Sequence, residues 1–430
     1  MLKLNSIPNK VFDAYETEDV KLKVNSSNGG VKTYSRQDIV ATGRLVANEF
    51  FGSFINKRPN QIEKYNSRLD GAKYDYATLS RKHTEKKLLF CAAKVCQMTG
   101  ETPPATFEEF KRNAVRYAQD KDFLKVMAAI DRDVLDPLFF AVINDVGMDL
   151  MQWEPVQFGA TKEITVRSND VFLWEDSSWG SGRSTSKNYL YAKTITLTPK
   201  VYSCNATIKW YQDIVAGDAG RYYAAIMLGM YNKIYAMNVQ ALKAAIADGK
   251  YIPSGLTSDT YTTANWLRIT DLVAAANGVR VEDLMAVGTR SALSNLLPVD
   301  GNGGALTGLQ YGLGEQWFTN GYLPKAQGVD LFPVTPVIVP GTQNSTLDTI
   351  DTGDDIFIFA KGLLRPMYGA YMEGTPITLT ATPGGDGERS YGTADFTIDI
   401  NAGAMFDIKP VFATKVGVIT SVYPTPSTGA

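Results

Sequence analysis

The stretch KEITVRSNDVFLWEDSSWGSGRSTSKNYLYAKTITLTPK, residues 162–200, decides how the chain folds. Both of its ends are rich in Thr, Val, Ile and Tyr, which favour strands. Its middle, residues 177–188, is dominated by Ser, Gly and Thr and has no capacity to pack. The pattern predicts a long two-stranded ribbon over residues 161–199 with a Gly/Ser tip.

This ribbon needs a covering surface. A two-stranded hairpin is marginal in water, because two strands bury too little surface to offset the entropy of ordering them. Large aromatic side chains on a projection need a surface that shields them. That surface is either the chain's own helices or a neighbouring copy. The residues predicted to form the interface are Val171, Leu173, Trp174, Trp179, Arg183, Lys187, Tyr189 and Tyr191.

The first 150 residues read mostly as helix. Residues 1–30 indicate an extended arm that ends in a flexible SSNGG turn. Helical spacing of apolar residues then runs from Arg36 to about Met98. Thr106 and Glu109 have the spacing of a capping box.

Asp136 followed by Pro137 resembles an N-cap with proline at the first helical position. This pair predicts a further helix over Leu138–Met151.

After the ribbon the pattern alternates and then turns helical. Residues 202–210 alternate apolar and polar, which predicts a half-buried strand. Asp218 then caps a helix from Ala219 to Asp248, with Gly249 just past its end.

Residues 266–340 read as α/β, with a strand at Asp283–Val287 and a helix at Thr289–Leu297 capped by Thr289. Val329–Val339 is predicted as a strand pair interrupted by prolines, which belong at sheet edges or bends. The remaining strands are predicted to form one C-terminal sheet. They are Ile356–Phe359, Met367–Tyr371, Ile377–Thr380, Phe396–Ile400 and Val411–Val422.

Composition indicates an ordinary globular chain. Its 430 residues are 44% hydrophobic and 20% charged, with a net charge of −2, which argues against a generally cationic nucleic-acid coat. No apolar run approaches the roughly 18–20 residues that span a bilayer. Three cysteines are too few for a secreted disulfide framework, so a soluble protein in a reducing cytoplasm is expected.

Charge is uneven along the chain. Residues 31–117 carry 16 Lys/Arg against 9 Asp/Glu, a local charge of +7, whereas residues 343–409 carry 10 Asp/Glu against 4 Lys/Arg, a local charge of −6. A solvated helical face is favoured over a nucleic-acid surface for the basic stretch, because no reader motif accompanies it.

No residue set selects a chemistry. The one histidine, His83, lies in RKHTEKK and is predicted to be a surface residue. Cys91 and Cys96 are predicted to be core thiols. Asp354 and Asp355 are interpreted as a solvated loop, and GTRSALS at 288–294 lacks the GxSxG elbow of a serine nucleophile. No catalytic, cofactor-binding or metal residue is therefore predicted.

The order of these parts resembles the major capsid protein of tailed bacteriophages, whose Hong Kong 97-type fold is shared with herpesvirus capsids and bacterial encapsulins. Residues 162–200 resemble its E-loop, and DAGRYYAAIMLGMYNKIYAMNVQALKAAIADG (218–249) its spine helix. VEDLMAVGTRSALSNLL (281–297) resembles the axial strand–helix unit, and DIFIFAKGLLRPMYGAYMEG (355–374) the returning peripheral strands.

The resemblance implies an α+β Hong Kong 97-type fold divided into six parts. These are an N-terminal arm and basic helical region (1–105), helices leading into the peripheral domain (106–155), an E-loop hairpin (156–200), a peripheral domain with the spine helix (201–264), an axial domain (265–350) and a returning peripheral/axial sheet (351–430).

The implied function is structural and not enzymatic. Copies would assemble into hexamers and pentamers of an icosahedral virion shell in the bacterial host cytoplasm, around double-stranded DNA held without sequence specificity. Scaffolding, portal and decoration proteins are the further partners it implies; no cofactor and no membrane partner are expected. Family members that crosslink a Lys to an Asn use a Glu base. Lys187 and Lys193 lie in the E-loop, but nothing in the sequence selects their partners.

Three alternatives stay open. An encapsulin shell would hold a cargo enzyme, although the N-terminal helices exceed a minimal shell subunit. An α/β hydrolase with its core at 266–340 would need a pocket with perturbed carboxylates. A phage tail or adhesin subunit would form fibres or rings.

Overall fold

The structure is a computed structural model, described for the following residues: 20–23, 31–55, 76–146, 151–167, 192–210, 215, 217, 219–248, 252–294, 296, 320–334, 336–339, 342, 345–350, 353–361, 365–373, 377–383, 397–410 and 415–420. Within these ranges, no helix combines the length and the apolar character that crossing a membrane requires.

The helices are α1 (Arg36–Ile55), α2 (Tyr76–Thr99), α3 (Phe107–Arg112), α4 (Ala114–Gln119), α5 (Lys121–Val146), α6 (Ala219–Asp248), α7 (Thr263–Asn277) and α8 (Arg290–Ser294). The strands are β1 (Val20–Lys23), β2 (Val31–Tyr34), β3 (Met151–Val156), β4 (Lys162–Arg167), β5 (Ala192–Leu197), β6 (Lys200–Lys209), β7 (Thr257–Ser258), β8 (Leu284–Thr289), β9 (Lys325–Ala326), β10 (Val329–Val334), β11 (Val337–Ile338), β12 (Thr349–Ile350), β13 (Ile356–Ala360), β14 (Met367–Met372), β15 (Ile377–Pro383), β16 (Thr397–Pro410) and β17 (Gly417–Ile419). The chain is therefore α+β, as predicted.

The chain forms two compact units, each assembled from separated stretches of sequence. The first comprises Met1–Asp145, Lys200–Tyr231 and Met372–Met405, and the second Val146–Pro199, Asn232–Tyr371 and Phe406–Ala430. The six-part division implied by the capsid resemblance stays a prediction.

Helices dominate the described part of the first unit, as the sequence predicts. Phe110, Tyr117, Phe123 and Trp210 form an aromatic cluster in its core, with ring centroids 5.0–6.4 Å apart. The predicted cap of α3 is present, because the backbone N–H of Glu109 donates to Thr106 Oγ1 at 3.3 Å.

The prediction of a new helix at Asp136–Pro137 is wrong. Pro137 lies inside α5, which runs unbroken from Lys121 to Val146. An interior proline removes one backbone donor and costs about 3 kcal/mol. Leu135 and Leu138 on either side are buried in the core, so tertiary packing outweighs that cost.

The prediction of a surface histidine is also wrong, since His83 is fully buried. Its Nε2 lies 3.4 Å from the hydroxyl of Tyr223, which donates to Asp131 Oδ1. Lys87 Nζ lies 2.9 Å from the same oxygen and donates to Tyr223 at 3.1 Å. The charged RKHTEKK sequence hides a buried polar cluster because its positions 83, 84 and 87 share the inward face of α2.

The N-terminal arm contains a short hairpin. Strands β1 and β2 pair antiparallel, with Val20 opposite Tyr34. The predicted SSNGG turn between them lies outside the described residues.

The predicted thirty-residue helix is confirmed as α6, with the bounds expected from its pattern. Its predicted caps, Asp218 and Gly249, fall outside the described residues. The strand before it, β6, is buried only towards its end. Ile208 and Trp210 are buried, whereas Cys204 is exposed although the alternation placed it on the inner face.

The second unit is built on a six-stranded sheet in the order β7-β17-β13-β8-β10-β9. Every residue of the central strand β8 is buried. Helix α7 packs closely on the sheet, where a Cβ at Gly417 would lie 2.6 Å from Ile269 Cγ2. Pro333 of β10 lies beyond the two residues of β10 that pair with β9, so it occupies an open edge, as prolines in sheets require.

The predicted C-terminal strands divide between two sheets and do not form one. β13 and β17 belong to the six-stranded sheet, where they are antiparallel neighbours with Phe357 opposite Val418. β14, β15 and β16 pair among themselves instead. Alternation along a strand reports which face is buried, and it carries no information on the partner strand.

Helix α8 is shorter than predicted. It spans Arg290–Ser294, and Leu296, which is also described within the predicted 289–297 helix, is not helical. Thr289 caps it as expected, since Thr289 Oγ1 accepts from the N–H of Ala292 at 3.1 Å.

Candidate assembly interface

The predicted ribbon is present at its base. Strands β4 and β5 pair antiparallel through six residues each, from Lys162 opposite Leu197 to Arg167 opposite Ala192. Within the described residues the two strands form a separate two-stranded sheet. The strand composition of 162–167 and 192–197 is sufficient to predict this pairing, because both halves are rich in β-branched residues.

One face of the ribbon packs on its own subunit. Ile164, Val166 and Ile195 contact a buried cluster that includes Leu197 and Tyr368. Leu197 is fully buried, and burying a leucine side chain contributes about 1.5–3 kcal/mol. The chain itself therefore shelters the apolar face of the ribbon base.

The other face of the ribbon base is polar and exposed. Thr165 and Thr194 lie directly opposite each other, with their hydroxyl oxygens 3.4 Å apart. Glu163 and Thr196 are also exposed on this face. The described base offers no apolar surface on this side.

A buried carboxylate on β16 binds the residue that follows β5. Asp407, only 7% exposed, accepts from the backbone N–H of Thr198 at 2.9 Å and from the N–H of Ile408 at 3.0 Å. Lys409 Nζ donates to the carbonyl of Thr196 at 2.7 Å. Hydrogen bonds to a charged group are the stronger ones, so these contacts hold the end of β5 against β16.

The turn between β3 and β4 carries an exposed aromatic side chain. Phe158 is 81% exposed. The turn is closed by Ala160 N–H donating to Gln157 O at 3.0 Å, and Gly159 adopts φ +77°. Lys162 Nζ pairs with Glu154 Oε2 across this turn at 3.5 Å.

Strand β3, which precedes this turn, is held by a glycine. A Cβ at Gly369 of β14 would lie 2.5 Å from Trp153 Cζ3, so only glycine leaves room for the indole ring. Trp153 also approaches Tyr371, with centroids 6.5 Å apart.

All eight residues predicted for the assembly interface lie outside the described residues. They are Val171, Leu173, Trp174, Trp179, Arg183, Lys187, Tyr189 and Tyr191. Their part in an interface stays a prediction. The structure describes the base of the ribbon, the strands β4 and β5 that come before and after this segment in the sequence.

Sequence reasoning missed the anchor residues. Asp407 stands between Phe406 and Ile408 in an otherwise apolar alternation, and a carboxylate at such a position predicts a specific buried partner. That partner, the N–H of Thr198, is 209 positions away and follows only from the fold.

The two cysteines of α2 behave as predicted. Cys91 and Cys96 are buried and free. Burial raises the pKa of both thiols, which disfavours the reactive thiolate.

The sequence matches no protein-family model and no curated protein. Solved structures similar to the chain come from phage heads and from a shell. A chain of the bacteriophage PhiM1 mature capsid is 13% identical, with 65% of this chain and 87% of that chain covered and a TM-score of 0.38. A chain of the Helicobacter pylori bacteriophage KHP40 head is 10% identical, with 66% and 91% covered and a TM-score of 0.41.

The holo-SrpI encapsulin complex from Synechococcus elongatus PCC 7942 is also similar, with 12% identity, 65% and 89% covered and a TM-score of 0.33. These structures are phage heads and an encapsulin, the two kinds of shell named in the sequence analysis. Because all three TM-scores lie below 0.5, the function proposed for this chain depends on its own architecture.

Proposed function

We propose that this chain is the structural subunit of an icosahedral capsid with the Hong Kong 97-type fold, and that it encloses phage double-stranded DNA. Copies assemble into hexamers and pentamers, and the protein acts by assembly and not by catalysis. The virion is its location, and the host cytoplasm is where it assembles.

The observation that carries the proposal is the anchored ribbon. Its base is buried on one face and held by Asp407 and Lys409, so the base is fixed in position. The sequence between β4 and β5 then carries Trp174, Trp179 and two tyrosines. A fixed base combined with an aromatic-rich far segment suits a contact that reaches a neighbouring copy, and rings close through such heterologous contacts.

The order of elements supports the same proposal. The ribbon leads through β6 into the thirty-residue helix α6, then into a mixed sheet with the strand–helix unit β8–α8, and back through the strands β13 to β17. This is the order that the resemblance to tailed-phage capsid proteins implies.

Negative-stain microscopy of the expressed full chain tests the proposal. We expect closed particles, or rings of five and six copies. A monodisperse monomer at high concentration would contradict shell formation, and fibres would favour a tail or adhesin subunit.

The contents of purified particles separate a capsid from an encapsulin. Particles from infected cells should contain nuclease-resistant double-stranded DNA. A co-purified enzyme in place of nucleic acid would contradict the capsid and favour the nanocompartment.

Salt dependence tests a second part of the proposal. The basic stretch 31–117 and the acidic stretch 343–409 would attract one another between copies and steer assembly. Exposed pairs contribute only about 0–1 kcal/mol each, so the effect falls mainly on rate. Light scattering measures the rate of assembly. We expect that rate to fall as sodium chloride rises from about 50 to about 500 mM, because added salt shortens the Debye length and screens the attraction. Assembly at an unchanged rate would remove this part of the proposal.

A further inference from the structure

A cavity of about 510 Å³ lies in the second unit, at the end of the central sheet. Strands β8 and β10 are parallel neighbours, and part of the cavity lining lies at their carboxyl ends: Thr289, Arg290, Ser291 and Ser294 at the end of β8 and Pro336 after β10. Crevices at the carboxyl ends of such strands are where open α/β sheets bind ligands. Neither the assembly proposal nor the anchored ribbon uses this cavity.

One wall of the cavity holds an arginine against a glycine. A Cβ at Gly321 would lie 2.5 Å from Arg290 Nε and 2.7 Å from Arg290 Cζ, so the guanidinium occupies the space that a side chain at position 321 would need. Gly321 also adopts φ +75°, which favours glycine. Within the described part of the chain, the Arg290 side chain forms no hydrogen bond or ion pair, although a guanidinium has five N–H donors.

The floor of the cavity is fixed by Thr289. Its hydroxyl donates to Gly353 O at 2.9 Å and accepts from the N–H of Ala292 at 3.1 Å. The Ser294 hydroxyl donates to Ser291 O at 2.7 Å, which leaves its lone pairs as acceptors towards the cavity. Arg290 therefore supplies donors, and Ser294 supplies an acceptor.

The other charged groups complete the pattern. Asp354 lines the cavity and is exposed, so it is a second acceptor. Lys243 Nζ would lie 3.9 Å from a Cβ at Gly353, and it faces the half-buried Asp355 behind the lining. A ligand that pairs with both the donor and the acceptors of the cavity carries an oxyanion for Arg290 and an O–H or N–H donor for Ser294 and Asp354.

We infer that this cavity is a binding site for a carboxylate that bears a neighbouring hydroxyl or amide donor. Two sources have this chemistry: a free hydroxycarboxylate, and an Asp or Glu of a second copy with its own backbone N–H. Arg290 grips the carboxylate through its N–H groups, and the neighbouring donor reaches Ser294 or Asp354.

Residue-specific modification of the unassembled full chain tests the site. Phenylglyoxal modifies accessible guanidinium groups, and peptide mass spectrometry measures its rate at Arg290. The probe is malate, and succinate, which lacks the hydroxyl, is the matched control at equal ionic strength. Malate at about four times its Kd slows the reaction about fivefold, because only the unoccupied fraction reacts. Succinate protects less, and the exposed Arg280 reacts at the same rate throughout.

A pair of glycine variants separates the site from backbone strain. Gly321→Ala displaces the guanidinium and abolishes protection by malate. Gly278→Ala also places a side chain at positive φ, +66°, but meets nothing within 4 Å, so protection survives in it. Thermal unfolding of each variant confirms that it is folded.

Assembled particles distinguish the two sources. Protection of Arg290 in particles without malate identifies a second copy as the source, and protection only on adding malate identifies a free ligand. An Arg290 rate that neither malate nor assembly changes overturns the site. The arm on unassembled chains needs no shell, so its outcome is independent of the proposed function.

Discussion

Two helical glycines, Gly43 of α1 and Gly229 of α6, have opposite surroundings. A Cβ at Gly43 would lie 2.6 Å from Val134 Cγ2 and 2.8 Å from His83 Cε1, whereas one at Gly229 meets nothing within 4 Å. We expect Gly43→Ala to lower the free energy of unfolding by about 1–3 kcal/mol through overpacking. Gly229→Ala should raise it by about 0.5–1 kcal/mol, because alanine orders more readily in a helix. Urea unfolding measures both, and a stabilised Gly43→Ala would contradict the close packing of α1.

His83 gives the folded chain a pH dependence. Burial lowers its pKa from 6.5 to about 3, with a further lowering from Lys87 and Lys86. Between these two values the unfolded chain holds a proton that the folded chain lacks, so stability falls as the pH falls below 6.5. The loss between pH 6.5 and pH 5 is about 1.6 kcal/mol, because the slope reaches its full value of about 1.36 kcal/mol per pH unit only once the unfolded histidine is fully protonated.

A His83→Asn variant isolates this effect. Asp136, whose pKa burial raises to about 6, acts in the opposite direction between its ordinary value and 6, and it is present in both proteins. The stability of the wild type relative to His83→Asn should therefore decline from pH 7 to pH 5 in urea unfolding. A constant difference would show that His83 is protonated equally in both states.

Residue-level expectations from the sequence fail where tertiary contacts decide. The charged neighbours of His83 in the sequence predict a solvated position. The buried face of α2 is instead determined by helices α5 and α6, which follow much later in the chain. Pro137 read as a helix start for the same reason. Local rules describe a residue's preference, and the core decides whether that preference is followed.

At the scale of elements, one carboxylate contributes to holding the ribbon base. Asp407→Asn removes the charge that binds the N–H of Thr198, and we expect the protection of the 192–197 amides against hydrogen exchange to drop by about 1–3 kcal/mol, the cost of a lost charged hydrogen bond. Asp399→Asn is the matched control, since Asp399 also lies on β16 but bonds Thr207 at 2.7 Å. Equal exchange of 192–197 in both variants would contradict the anchor.

Elements with a strong local signal were predictable. The stripe and caps of α6 gave its bounds, and β4 and β5 followed from their β-branched composition. Sheet membership was not predictable, because β13 and β14 alternate alike and yet join different sheets. The candidate interface was predicted only as a segment, and its anchors Asp407 and Lys409 required the fold.

At the scale of the whole molecule, each unit draws on distant segments. The first needs residues 372–405 and the second needs residues 406–430. Both units therefore depend on contacts between segments that are far apart in sequence, and long-range contacts of this kind slow folding.

We propose that another copy covers the aromatic side chains between β4 and β5. The variant that tests it is Trp174→Ala combined with Tyr191→Ala, with circular dichroism and urea unfolding as controls for a folded subunit. Removing these side chains takes away contact area between copies and leaves the anchored base intact.

Sedimentation velocity of the double variant beside the wild type is the deciding measurement. If another copy covers these side chains, the wild type sediments as particles or capsomers and the double variant remains a folded, smaller species. A double variant that forms particles at the wild-type yield would contradict it.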